Sequence, residues 1–170
     1  RFVEDPLRMI RAIRFSVKYG MPIEQNTYDA IVENADLVTE LSGRRLRDEI
    51  GKVIYEPNGY QALMETGILP ILMPEFRGMK DYHHKLDYHP EDTLYNHYIE
   101  AFKTFTELPN RSELGAWALL FHDIAKPQTA EWSEEGYHTF YGHDKQGGLL
   151  VLENYNNQNG PFEFSKKELQ

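Results

Sequence analysis

Cysteine is absent from the 170 residues. Disulfides and thiolate metal sites are therefore excluded, and the composition suits a reducing compartment, with the cytoplasm as the expected location. No apolar run approaches the ~18 residues that a membrane span requires, and no signal-peptide pattern opens the chain, so no membrane partner is expected. Positive charge is short: 18 Lys and Arg stand against 27 Asp and Glu, a net charge of −9. That balance argues against a protein that coats nucleic acid by bulk charge, and no DNA partner is expected. Repeats and low-complexity tracts are lacking too. A charged fraction of 26% with 41% hydrophobic residues suits one ample core or two small ones rather than a disordered chain.

What is present is unevenly placed. Residues 1–55 carry nine basic and nine acidic side chains, so the whole negative charge lies in residues 56–170. All seven histidines fall between His83 and His143. Two chemically distinct regions are expected, 1–74 and 91–170, with 75–90 as a connector that is charged, His-rich and without clear period.

The apolar spacing reads helical nearly throughout, and the fold class is all-α. Helices are expected over about 6–19, 26–41, 43–55, 58–66, 91–107, 113–125 and 143–156, with a short helix or turn at 68–74. Asp5-Pro6 reads as a cap followed by Pro at the first helical position, and Ser42 and Ser112 read as caps. Between 127 and 142 the helical period is lost. Aromatic and β-branched residues there flank Glu135-Gly136, which suits a small β-hairpin or an ordered loop. Ser165-x-x-Glu168 is a capping box close to the end of the chain. A helix start at each end is what a piece of a longer protein would show, a frayed polar tail being the other reading of the second.

Two constellations carry chemistry. The first is Arg1-Phe-Val-Glu-Asp5-Pro-Leu-Arg8. A carboxylate and a guanidinium three residues apart at a helix start offer acceptors and donors in one plane, the equipment for reading a nucleobase edge. Arg11 and Lys18 lie where they could meet phosphates. An ordinary ion pair on a solvated face is the alternative from spacing alone. The stretch RFVEDPLRMIRAIRFSVKYG, and the GMPIEQNTYDAIVENADLVTELSGRRLRDEIGKVI that follows, resemble the neck of bacterial-type (class II) tRNA nucleotidyltransferases and poly(A) polymerases. The resemblance implies that Asp5 and Arg8 template the incoming CTP or ATP base, with Arg11 also on the nucleotide side. It implies that Arg45 and Glu49 brace the neck. Arg44 stands where that family usually has Glu. The family's transfer chemistry needs a D-x-D carboxylate pair holding Mg²⁺, and no D-x-D occurs in this sequence. The resemblance thus implies a protein that extends the 3′ end of tRNA or another RNA, whose catalytic head is not in these residues.

The second constellation is His97, His122-Asp123 and His143, with Lys126 one turn after Asp123. Imidazoles and a carboxylate suit a hard or borderline divalent ion, and Lys126 is a candidate for binding phosphate. Structural hydrogen bonding is the alternative for each residue alone. Together, H…HDIAKP…FYGHD resembles the HD-domain metal-dependent phosphohydrolases, a domain that follows the neck in many relatives. The resemblance implies a Ni²⁺, Mn²⁺, Fe or Zn²⁺ site on His97, His122, Asp123 and His143, and an HD domain truncated at its C-terminal side, since no acid after His143 matches the last Asp of the pattern. A metal-dependent phosphatase or phosphodiesterase is thus the alternative function. The short Pro109-Asn110 break should set the helices of His97 and His122 antiparallel, so that the four ligands converge. His83, His84 and His138 are expected to be exposed loop residues.

Overall fold

The structure, a computed structural model, describes residues 2–156 and 160–168. Eight α-helices and one two-stranded hairpin are present among them: α1 (Leu7–Tyr19), α2 (Gln25–Glu33), α3 (Gly43–Ile54), α4 (Gly59–Glu65), α5 (Ile68–Leu72), α6 (Leu94–Glu107), α7 (Glu113–Phe121), β1 (Glu131–Trp132), β2 (His138–Thr139) and α8 (His143–Asn154). The fold is all-α. No helix of the described residues is long and apolar enough to cross a membrane.

α1 buries Leu7, Met9, Ile10 and Ile13 and stops at Gly20, whose φ of 63° is the left-handed cap conformation that glycine adopts without strain. α3 buries Leu46, Ile50, Val53 and Ile54 against it. Each fully buried aliphatic side chain of this kind contributes about 1.5–3 kcal/mol. The two helices run side by side in one direction, since Asp5 meets Arg45 near their starts and Arg14 meets Glu49 further along.

α3 and α4 also carry the second half of the chain. Tyr60 of α4 lies fully buried and stacks on Tyr98 and Phe102 of α6, with centroids 5.3 and 5.4 Å away. Gly51 of α3 sits against α7, where a Cβ would come within 2.8 Å of both Trp117 Nε1 and Glu113 Oε1. The buried apolar residues form one continuous cluster from Leu7 to Phe164. Residues 160–168 cross the start of α3. Phe162 and Phe164 pack on Trp117, and Arg47 pairs with Glu168. Half of the expected capping box is formed there, the Ser165 N–H donating to Glu168 Oε2 at 2.8 Å, and residues 166–168 form a turn.

Several boundaries differ from expectation for local reasons. The helix expected over 26–41 stops at Glu33, where the Asn34 side chain donates to the Ala30 carbonyl, and Ala35–Glu40 continue as a 3₁₀ helix. Buried Ala35 and Val38 lie three apart, the repeat of a 3₁₀ turn. The helix expected to reach 125 ends at Phe121, because His122 Nδ1 bonds the Leu119 carbonyl that Asp123 N–H would otherwise take. Asp5 is not the cap of α1: Pro6 holds that position, and the carboxylate turns to arginine instead. Ser42 stands at the cap of α3 without a side-chain bond, whereas Ser112 accepts from Gly115 N–H as expected. Leu149 is exposed, and Val17, Leu37, Leu119 and Phe121 are only partly buried.

Candidate functional site

At the start of α1, Asp5 and Arg8 lie side by side. Asp5 Oδ2 is 3.8 Å from Arg8 Nε, and Asp5 Oδ1 is 3.3 Å from Arg45 Nη2. Arg8 also approaches Glu4 at 3.9 Å and leaves half its side chain exposed. The pair is thus open to solvent on one side, while Arg45 reaches over from α3 to hold the carboxylate. One turn deeper, Glu49 is almost fully buried. Its carboxylate lies 2.8 Å from Arg14, 3.6 Å from Arg11 and 3.8 Å from Lys52. Arg11 therefore faces Glu49, with about half its side chain free. Arg14, the closest partner of Glu49, was not singled out from sequence. Its one signal is that it lies one turn after Arg11 on the same helical face.

The second site gathers on Asp123, which follows α7 in a run of turns. His97 Nε2 and His122 Nε2 lie 3.2 and 3.1 Å from Asp123 Oδ2, and His143 Nε2 lies 3.3 Å from Oδ1. His97 Nε2 and His122 Nε2 are 3.3 Å apart. All four expected ligands are thus brought together. α6 and α7 are antiparallel, since Tyr98 near one end of α6 donates to the Leu120 carbonyl while Phe105 near its other end packs beside Gly115. His143 opens α8, and its Nδ1 bonds the Phe140 carbonyl, which turns Nε2 toward Asp123. His122 is oriented likewise by the Leu119 carbonyl. Lys126 is buried, with its ammonium 2.7 Å from Asp123 Oδ2.

The charge balance follows from these contacts. Burial works to raise the Asp123 carboxyl, but hydrogen bonds from His122 and His97 and the charge of Lys126 outweigh it and hold the group far below the usual carboxylate range. The bond to Asp123 raises His97 above the ordinary imidazole value against its burial, with help from Glu91. His97, His122 and Asp123 present one ligand atom each within 4.8 Å of one another, a donor set that fits a divalent ion of borderline character.

Three further residues stand behind His97. Glu91 Oε1 lies 2.7 Å from His97 Nδ1 and 3.0 Å from His89 Nδ1. Burial would raise Glu91, but the bonds to His97, its own backbone and His89 bring it down to about 2. His84 is buried rather than exposed, its ring centroid 4.5 Å from that of His89 and 5.5 Å from that of His97. The loop that holds it is not irregular. His84 N–H donates to the Asp92 carbonyl and Leu94 N–H to the Tyr82 carbonyl, while β2 pairs alongside through His138 N–H to the His83 carbonyl. His83 and His138 are consumed in that scaffold, His138 Nδ1 accepting from His83 N–H. The reading of these three as exposed loop histidines is thereby corrected. The run His89-Pro90-Glu91 just ahead of α6 was the available signal for the carboxylate.

Residues 20–79 match the family described as a probable RNA and SrmB-binding site of polymerase A. The A-adding tRNA nucleotidyltransferase of Deinococcus radiodurans is 33% identical across 88% of this chain. The multifunctional CCA protein of Neisseria gonorrhoeae is 32% identical across 89%, and that of Pasteurella multocida 28% across 86%. The chain belongs to the tRNA nucleotidyltransferase/poly(A) polymerase family. It spans 36–37% of the length of these relatives. A match over 88–89% of the chain includes its middle, where the Asp123 cluster lies.

Proposed function

We propose that this chain is the base-reading neck, residues 1–74, and an HD domain, residues 91–170, of a cytoplasmic protein that adds nucleotides from CTP or ATP to the 3′ end of tRNA or another RNA. The observation that carries this reading is the open Asp5–Arg8 pair at the start of α1, held by Arg45. Asp5 accepts and Arg8 donates, so together they offer a fixed hydrogen-bond pattern to the Watson–Crick edge of a base. Arg45 and Glu49 are positioning residues: the first holds the Asp5 carboxylate, and the second anchors α1 to α3 through Arg14. Arg11, half free beside Glu49, contributes charge on the nucleotide side. The transfer step itself needs Mg²⁺ held by paired carboxylates, and no D-x-D pair occurs in these 170 residues. The chain alone is therefore not competent in nucleotide transfer. In the full-length protein, Asp5→Ala should erase preference for CTP and ATP over other nucleotides. Unchanged selectivity would refute the template role.

A second activity is favoured by the convergence on Asp123. His97, His122, Asp123 and His143 would hold a divalent ion, one of Ni²⁺, Mn²⁺, Fe or Zn²⁺, which supplies Lewis-acid activation at a phosphate ester when bound. Around it, Phe140 and Leu119 carbonyls fix the tautomers of His143 and His122, and Glu91 does so for His97. Lys126, now paired with Asp123, is the candidate to bind a substrate phosphate once the carboxylate is otherwise engaged. An open groove of about 830 Å³ between α6 and α7 runs from His97 and His122 to Arg111, giving a phosphate ester a route to the site. Metal-dependent hydrolysis of a chromogenic phosphate ester by the chain, lost in Asp123→Asn, is the test. Equal rates in both proteins would remove the phosphohydrolase reading.

A further inference from the structure

The cluster behind His97 has more imidazole than hydrogen bonding explains. Glu91 orients His97 and His89 through their Nδ1 atoms, an ordinary supporting arrangement. His84 has no such role. It is 4% exposed, and among the described residues neither of its ring nitrogens has a hydrogen-bond partner. An imidazole carries one donor and one acceptor, and burying both unpaired is costly. A cation is the partner that an unprotonated imidazole nitrogen takes most readily in such a place.

We propose that His84, His89, Glu91 and His97 form a second divalent-cation site, beside the one on Asp123, that takes a borderline transition ion such as Zn²⁺ or Co²⁺. Each of the four offers a ligand atom within 4.8 Å of all the others. Ligands of a tetrahedral ion at ~2.1 Å stand about 3.4 Å apart, so a contraction of at most about 1.4 Å closes the shell. Three imidazoles and one carboxylate are a borderline donor set, which favours such ions over Mg²⁺ or Ca²⁺. The four residues come from two pieces of the chain. His97 lies on α6, and His84, His89 and Glu91 lie on the loop that the His84–Asp92 and Leu94–Tyr82 backbone bonds fold back against its start. His97 joins the two sites, with Nδ1 toward Glu91 and Nε2 toward Asp123, so with both ions bound it bridges them as an imidazolate and its ring proton is released to solvent.

The site shares His97 with the Asp123 centre, and the experiment tells the two apart through His84 and Asp123, each of which belongs to one group alone. The metal-stripped chain is titrated with Co²⁺, followed by calorimetry and by ligand-field absorption. Two equivalents are expected for the unaltered chain, and one for His84→Gln, the equivalent that persists in Asp123→Asn being the one that is lost. An anomalous-scattering map of Co²⁺-soaked crystals should place an ion among the four residues. If His84→Gln takes up as much Co²⁺ as the unaltered chain, the proposal is overturned. Loss in His84→Gln with no change in Asp123→Asn keeps this site and removes the Asp123 one. Should circular dichroism show that His84→Gln is unfolded, Glu91→Gln replaces it. Made in the Asp123→Asn background, it should lower the affinity for the remaining equivalent at least tenfold, and an unchanged isotherm overturns the proposal equally.

Discussion

Glu49 is the buried charge at the junction of α1 and α3. Its carboxylate is 6% exposed, and three cations surround it. Their contributions are unequal. Arg11 and Lys52 are about half exposed and 3.6–3.8 Å away, so solvent and salt screen them and each adds only a few tenths of a kcal/mol. Arg14 is 19% exposed and 2.8 Å away, and it dominates. Breaking a fully buried pair costs ~3–5 kcal/mol, and Arg14 is not fully buried, so Glu49→Gln should cost about 2 kcal/mol. For a chain of this length that lowers the melting temperature by ~4–8 °C. Arg14→Met alone should cost about as much, because it strands the carboxylate. The double variant should recover part of the loss, with a coupling energy of ~1–2 kcal/mol in urea unfolding. Added salt should change that coupling little, since the pair is shielded from bulk solvent. A coupling below ~0.3 kcal/mol would show that α1 is held to α3 by apolar packing alone, and the anchoring role of Glu49 would fall.

Other predictions follow from the packing and the titrating groups. Gly51→Ala drives a methyl into Trp117 and Glu113, so it should cost about 1–3 kcal/mol and perturb the emission of Trp117; an unchanged urea midpoint would mean that α3 and α7 separate easily. Burial raises the phenols of Tyr60, Tyr98 and Tyr155, the last with help from the Glu75 carboxylate to which it donates. A raised folded value means that stability is complete below the unfolded tyrosine value of ~10 and is lost as pH rises beyond it, by up to ~1.4 kcal/mol per pH unit per tyrosine. Alkaline titration should therefore show tyrosinate absorbance appearing together with loss of helical circular dichroism, and ionisation of all tyrosines in a still-folded chain would contradict it. Asp5→Ala in the full-length protein should cost roughly 2–4 kcal/mol in nucleotide discrimination, read as the ratio of kcat/KM values, because it also strands Arg8.

Periodicity revealed the helices and the buried faces of α1 and α3, because Ile10, Ile13 and Ile50 sit at α-helical spacing and have no other surface to cover. It also placed the hairpin at 131–139, where the helical period stops. It failed where a side chain intervenes in the backbone ladder. The Asn34 side chain adds a second bond to the Ala30 carbonyl and His122 takes the Leu119 carbonyl, and nothing in hydrophobic spacing reports either. The approach of His97 to the His122-Asp123 pair was legible because α6 and α7 have a short connection. His84 and Glu91 were not, since their positions depend on backbone pairing between loop segments, for which sequence pattern carries no period. The caps show the same limit: Glu24 accepts from Asn26 and Thr27 N–H at the start of α2, and Asp5, the stronger cap residue by type, is drawn away by Arg45.

The pairing of His83 with both Thr93 and His138 makes the region a three-membered ladder, although only β1 and β2 are regular strands. Such a ladder separates the part of the chain that counts residues from the part that does not. Beyond Ser133 and Tyr137, whose backbone bond closes the turn, the tip Glu134-Glu135-Gly136 is tied back by the Gly136 N–H to the Ser133 carbonyl and by the Lys85–Glu135 pair. Length changes at that tip should be absorbed there. A single residue gained or lost between His84 and His89 has no such outlet, because the Asp92 and Leu94 bonds fix both ends of the loop. Among homologues, insertions should therefore accumulate at the hairpin tip, while the interval from His84 to His97 keeps its length.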